Sequence, residues 1–168
     1  MMKIGLPLFL VTFLLAGCAT STKVLESDFQ KLSMTKVGVV LTVNLQTNGR
    51  VRDDKNCYLK IDDGKNHFEL LINRGVGDYA LPLVSGENVI EITKITCGPF
   101  YYYDLKDQGA TFQVKNQKIK YLGFINFKLE DKGNLEWGHA TKDELQLRKR
   151  AQSMGFDDDS LEIDLLKL

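Results

Sequence analysis

From Lys36 onward the chain repeats with a period of two. Val37, Val39, Leu41, Val43 and Leu45 alternate with Gly38, Val40, Thr42, Asn44 and Gln46. Ile119, Tyr121, Gly123, Ile125, Phe127 and Leu129 are interleaved in the same way with Lys118, Lys120, Asn126, Lys128 and Glu130. Successive side chains of a strand point to opposite faces, so this alternation predicts strands with one buried face, whereas a helix would repeat every three or four residues. The second stretch is long enough to be a central strand.

Shorter strands are predicted at Cys57 to Asp62, His67 to Ile72, Asp78 to Val84, Asn88 to Cys97, Ala110 to Val114 and Asn134 to His139. Turn chemistry separates them at Asn48-Gly49, Asp63-Gly64, Ser85-Gly86, Asn116-Gln117 and Lys132-Gly133. Consecutive strands joined by tight turns give an antiparallel system. Between Val89 and Cys97 the apolar positions move from Ile90 and Ile92 to Ile95 and Cys97, a one-residue change of phase that predicts a β-bulge.

A single helix is signalled at about 142–154. Thr141 and Glu144 fit a capping box, Leu147, Ala151 and Met154 share a face, and Gly155 stands where a left-handed C-cap is wanted. Leu161, Ile163 and Leu165 then alternate with polar neighbours, which predicts a final strand. The fold class is therefore mostly β with one helix near the C-terminus. Short strands with regular turns resemble an antiparallel β-sandwich of the immunoglobulin or transthyretin type, with a barrel as the alternative. The fragment YALPLVSGENVIEI is similar to the strand, turn and strand of such sandwiches. Antibody-type cysteine and tryptophan spacing is missing, because Trp137 follows both Cys57 and Cys97.

Composition limits the partners. The 22 basic and 22 acidic residues leave no net charge, and the sizeable basic cluster is confined to Arg148, Lys149 and Arg150. Nucleic-acid binding, which draws on a concentrated basic surface, is not expected. No cofactor or metal is expected: there is no CxxC pair, His67 and His139 are the only histidines, and Asp157, Asp158 and Asp159 lack the spaced ligands and internal glycine of a calcium loop.

The amino terminus carries the strongest motif. Lys3 precedes an apolar run from Ile4 to Leu15, about 12 residues where a bilayer span needs about 20. This is the length of a signal-peptide core. Leu15, Ala16, Gly17 and Cys18 then resemble the lipobox of bacterial lipoproteins, L-A-G-C. The resemblance implies removal of residues 1–17, a diacylglyceryl group on Cys18, and further acylation of the new amino terminus. Ala19, where lipoproteins retained in the inner membrane often carry Asp, implies an outer-membrane address facing the periplasm. Residues 18–35 read as a lipidated tether and 36–168 as one β domain.

With Cys18 assigned to lipid, Cys57 and Cys97 form an even pair in an oxidising compartment, which predicts a disulfide; two separate buried thiols are the alternative. The stretch CGPFYYYD puts Phe100, Tyr101, Tyr102 and Tyr103 in succession. Phe100 and Tyr102 should face one way and Tyr101 and Tyr103 the other, so one pair is left at the surface and the stretch is a candidate surface for an envelope protein or glycan; closing the end of the sandwich core is the alternative. The chain contains no GxSxG elbow and no phosphate-binding glycine loop, since RGVGDY runs on into a strand. The expected function is a lipid-anchored envelope module that binds or supports a partner. The alternative is an envelope hydrolase near His139 and Glu136, whose pairing on one strand would need a bend at Gly138.

Overall fold

In the computed structural model the described residues are 21–22, 38–47, 51, 55–64, 67–82, 88–99, 101–106, 108, 110–114, 118–130 and 134–166. The signal segment, Cys18 and Phe100 lie outside them. Sheet A runs β1 (Ser21–Thr22), β4 (His67–Ile72), β3 (Cys57–Asp62), β6 (Asn88–Cys97) and β7 (Tyr101–Asp104), with β8 (Thr111–Val114) also on β6. Sheet B runs β10 (Leu135–Thr141), β9 (Ile119–Leu129), β2 (Gly38–Thr47) and β5 (Gly75–Pro82), with β11 (Leu161–Ile163) also on β9. The sheets face one another across a core built by Val39, Leu41, Val43 and Leu45 of β2 against Leu59, Ile61, Ile92 and Ile95 of β3 and β6, all at most 1% exposed. This is a β-sandwich, mostly antiparallel, with one α-helix among the described residues, near the C-terminus.

That helix, α1 (Glu144–Ser153), makes a third layer. Leu147 and Ala151 pack with Val40, Ala80, Ile119 and Tyr121 on the outer face of sheet B. Its cap differs from the expected capping box. Asp143 is the N-cap, its carboxylate accepting from the backbone N–H groups of Leu145 and Gln146, while the Thr141 hydroxyl accepts from the Asp143 N–H one step earlier. Either oxygen can satisfy an orphan donor. Gly155 ends the helix at φ +90° as its position predicts.

The central strand departs most from its sequence pattern. Alternation alone puts Ile119, Tyr121, Gly123, Ile125, Phe127 and Leu129 on one face. In the structure Ile119 and Tyr121 lie under the helix, whereas Ile125, Phe127 and Leu129 enter the sandwich core. The switch is a bulge: Val40 is opposite Tyr121 but Thr42 is opposite Phe124, so Leu122 and Gly123 share the place of one residue. Gly123 takes φ +87°, a conformation that costs little only without a Cβ. The bulge predicted in β6 is also present, between Lys60 opposite Lys94 and Ile61 opposite Ile92, and it leaves Ile90, Ile92, Ile95 and Cys97 all buried.

Pairing is not antiparallel throughout. β9 runs parallel to both β2 and β11, and β1 runs parallel to β4. The hairpin signals were local, while β2 and β9 meet across about half of the chain. β5 begins at Gly75 rather than Asp78.

Beneath the helix lies a polar network. The Arg150 guanidinium donates to both Asp78 oxygens at 3.1 and 2.6 Å; the Thr42 hydroxyl donates to Asp78 at 2.7 Å and lies 2.8 Å from the Tyr121 phenol oxygen. Burial pushes the Tyr121 phenol above its ordinary pKa, and the Asp78 charge adds to this against the opposing bond to Thr42. Tyr79, also raised mainly by burial, accepts the Asn73 N–H at 2.7 Å.

Two measurements test these arguments. Gly123→Ala should lower unfolding stability by about 1–3 kcal/mol in urea, the cost of holding a Cβ-bearing residue at positive φ; an unchanged midpoint would contradict the account of the bulge. Because Tyr79 and Tyr121 hold their protons more tightly folded than unfolded, their contribution is complete below the unfolded value near pH 10 and is lost as pH rises through the folded values. Urea midpoints should fall above about pH 10, and less steeply in Tyr121→Phe.

Candidate functional site

The Cys57–Cys97 disulfide fixes the geometry of sheet A. These residues are direct cross-strand partners of β3 and β6, with Cα atoms 4.1 Å apart, and both are buried. Closing a loop with a sequence separation of 40 stabilises by about 4 kcal/mol on the chain-entropy model. The predicted bond is present.

After Cys97 the chain turns at Gly98-Pro99 and returns as β7, whose register places Tyr103 opposite Ile95 and Tyr101 opposite Cys97. Since Ile95 and Cys97 face the core, so do their partners. Tyr103 is buried at 6% exposure and Tyr101 packs against the core, while Tyr102, opposite Thr96, is 66% exposed. Of the two alternating pairs expected in Phe100 to Tyr103, Tyr101 and Tyr103 turn to the core, and Tyr102 of the other pair faces outward. The Lys94 ammonium sits 5.0 Å from the centre of the Tyr102 ring.

Tyr102 is one end of an organised outer face. Leu71, Tyr58, Thr96 and Tyr102 form one cross-strand row, and Glu69, Lys60, Lys94 and Asp104 form the next. Tyr58 and Tyr102 therefore stand on the same face two strands apart, about 10 Å at normal strand spacing. Tyr58 escaped the sequence reading because it is a lone aromatic, yet its even position in Cys57–Asp62 already put it opposite the buried Cys57, Leu59 and Ile61.

Beside these rows is an open trough of about 650 Å³, lined by Lys60, Asp62, His67, Glu91, Lys94 and Asp104 together with Val89, Thr93, Lys106 and Thr111. Its polar groups are held by neighbours. Lys60 pairs with Glu69 at 2.6 Å, His67 lies 2.9 Å from Asp62, and the Asp104 carboxylate accepts the Lys106 N–H at 2.9 Å. The Asp62 carboxylate also accepts the Gly64 N–H at 2.7 Å, closing the β3–β4 hairpin.

The two residues of the hydrolase alternative are not brought together. Glu136 pairs in register with Lys128 and bonds it at 3.2 Å, whereas His139 is in register with Ile125 and its Nε2 lies 3.0 Å from the Leu166 carbonyl oxygen. Gly138 continues the strand without a bend, so the two side chains leave opposite faces. The Lys128 ammonium is raised above its usual pKa by its hydrogen bonds to Glu130 and Glu136. Among the described residues no cluster of three or more His, Cys, Asp or Glu could hold a metal ion.

Truncating the two neighbouring tyrosines separates core from surface. Tyr103→Ala should cost about 3 kcal/mol or more in chemical denaturation, and Tyr102→Ala no more than about 0.5 kcal/mol. Equal losses would contradict the assigned faces.

Comparison with protein-family models, with curated proteins and with solved structures returns no match, so the functional reading rests on the residues of this chain.

Proposed function

We propose that this chain is a lipid-anchored cell-envelope lipoprotein whose β-sandwich is a binding module. The observation that carries the reading is Cys18, directly behind Leu15-Ala16-Gly17 and an apolar run too short to span a bilayer. One acyl chain binds a membrane only marginally, while two or three anchor it stably, and that is the physical use of a cysteine in this place. The Cys57–Cys97 disulfide supports the reading independently, because such bonds persist in oxidising compartments and are rare in the cytosol. Ala19 favours the outer membrane, with the domain in the periplasm. The binding role is supported by the outer face of sheet A, where Tyr102 is exposed beside a charged trough.

Growth with a labelled fatty acid should mark the wild-type protein, and Cys18→Ser should remove both the label and the membrane association that survives high salt. Retention of label in Cys18→Ser would refute the anchor. Density separation of the envelope should place the wild type with the outer membrane; recovery with the inner membrane would overturn that address.

A further inference from the structure

The two outer faces of this sandwich are treated differently. On the outer face of sheet B an apolar cluster and a polar network lie beneath α1, whereas that of sheet A carries two tyrosines and a trough with charges of both signs. Lys60, Lys94 and Lys106 supply three cationic donors, and Asp62, Glu91 and Asp104 supply three carboxylates. This balance decides among occupants. A polyanion gains no net attraction from three lysines matched by three carboxylates. A lipid surface would meet the lysines and carboxylates of the trough, whose ion pairs would have to be stripped of water. An extended peptide joins a sheet along the free amides of an edge strand, whereas the trough lies on the face of the sheet, over β3 and β6, whose amides are paired on both sides.

A ligand that is uncharged, both donates and accepts hydrogen bonds, and has an apolar flat side matches all three features. Sugar hydroxyls do the first two: they accept from ammonium groups and donate to carboxylates. The C–H face of a pyranose ring does the third, packing on an aromatic ring as other apolar surfaces do. We propose that the outer face of sheet A binds an uncharged glycan chain, with Tyr102 and Tyr58 as stacking platforms and Lys94, Asp104 and Lys60 as hydroxyl partners. The proposal rests on the binding-module reading above and deepens it by naming the ligand. The Lys94 ammonium lies over one face of the Tyr102 ring, 5.0 Å from its centre, so the sugar stacks on the other face of this exposed side chain. Lys60 is held in place by Glu69.

The test uses the purified full-length protein in detergent on an array of uncharged, sulfated and sialylated oligosaccharides. Uncharged pyranose oligosaccharides should be retained, and Tyr102→Ala and Lys94→Gln should each weaken binding at least tenfold. Leu145→Ala, an exposed apolar residue on the helix far from this face, should bind as wild type. Thermal melts matching wild type keep the first two losses from being read as unfolding. Retention of sulfated or sialylated probes alone, binding unaffected by both variants, or no retention at all would overturn the proposal. Failure on the array with Cys18 labelling intact removes the glycan and leaves the anchor, while glycan retention by a protein that takes no label does the reverse.

Discussion

One strand in this molecule must serve two cores, and Gly123 is the residue that permits it. Before the bulge, β9 turns Ile119 and Tyr121 toward the helix; after it, the odd positions Ile125, Phe127 and Leu129 turn into the sandwich. A regular strand of the same pattern would put all its large odd-numbered apolar residues on one side and take either Ile119 and Tyr121 from the helix layer or Ile125, Phe127 and Leu129 from the sandwich. β2 shifts register opposite this bulge, between Val40 and Thr42, and β10 carries an extra residue of its own between His139 and Thr141. The helix layer, the tail that ends on β11 and the contact of His139 with Leu166 all depend on this local change of phase.

A second dependency runs through sheet A. The buried Cys57–Cys97 bond fixes the β3–β6 register, the inward residues of β6 then dictate which tyrosines of β7 turn inward, and the outward row Tyr58, Thr96, Tyr102 follows. The bulge opposite Lys60 and Ile61 keeps four apolar residues of β6 buried despite the phase change in sequence, which lets Lys94 stand outward beside Tyr102. The candidate site is thus a consequence of core packing on the opposite side of the same strands.

Much of this was legible in the sequence because it is local. Alternation located most strands, the Ile90, Ile92, Ile95, Cys97 series announced the β6 bulge, and Gly155 marked the end of the helix. What stayed hidden depends on partners distant in the chain. The parallel pairing of β2 with β9 has no local signature, and Gly123 continues the odd series Ile119, Tyr121, Gly123, Ile125 so smoothly that its positive φ cannot be read from the pattern. Thr141 and Asp143 are both good N-cap residues, so the choice between them falls to tertiary context. For the site, the sequence indicated that a run of aromatics cannot all be buried, but only pairing with Ile95 and Cys97 decides that Tyr102 is the outward one.

The short strand Ser21–Thr22 connects the two halves of the functional reading. It lies in the segment whose composition suggested a tether, yet it pairs with Glu69 and Leu70 at the edge of sheet A. In the proposed anchored form Cys18 is three residues before Ser21, and three residues reach at most about 11 Å. An acylated Cys18 would therefore hold the β4 edge of sheet A near the lipid surface, with β3, β6 and β7 following in order away from it. The trough begins at His67 on β4 and Tyr102 lies on the far strand β7, so the proposed glycan site would run across the sheet from its anchored side to the opposite edge.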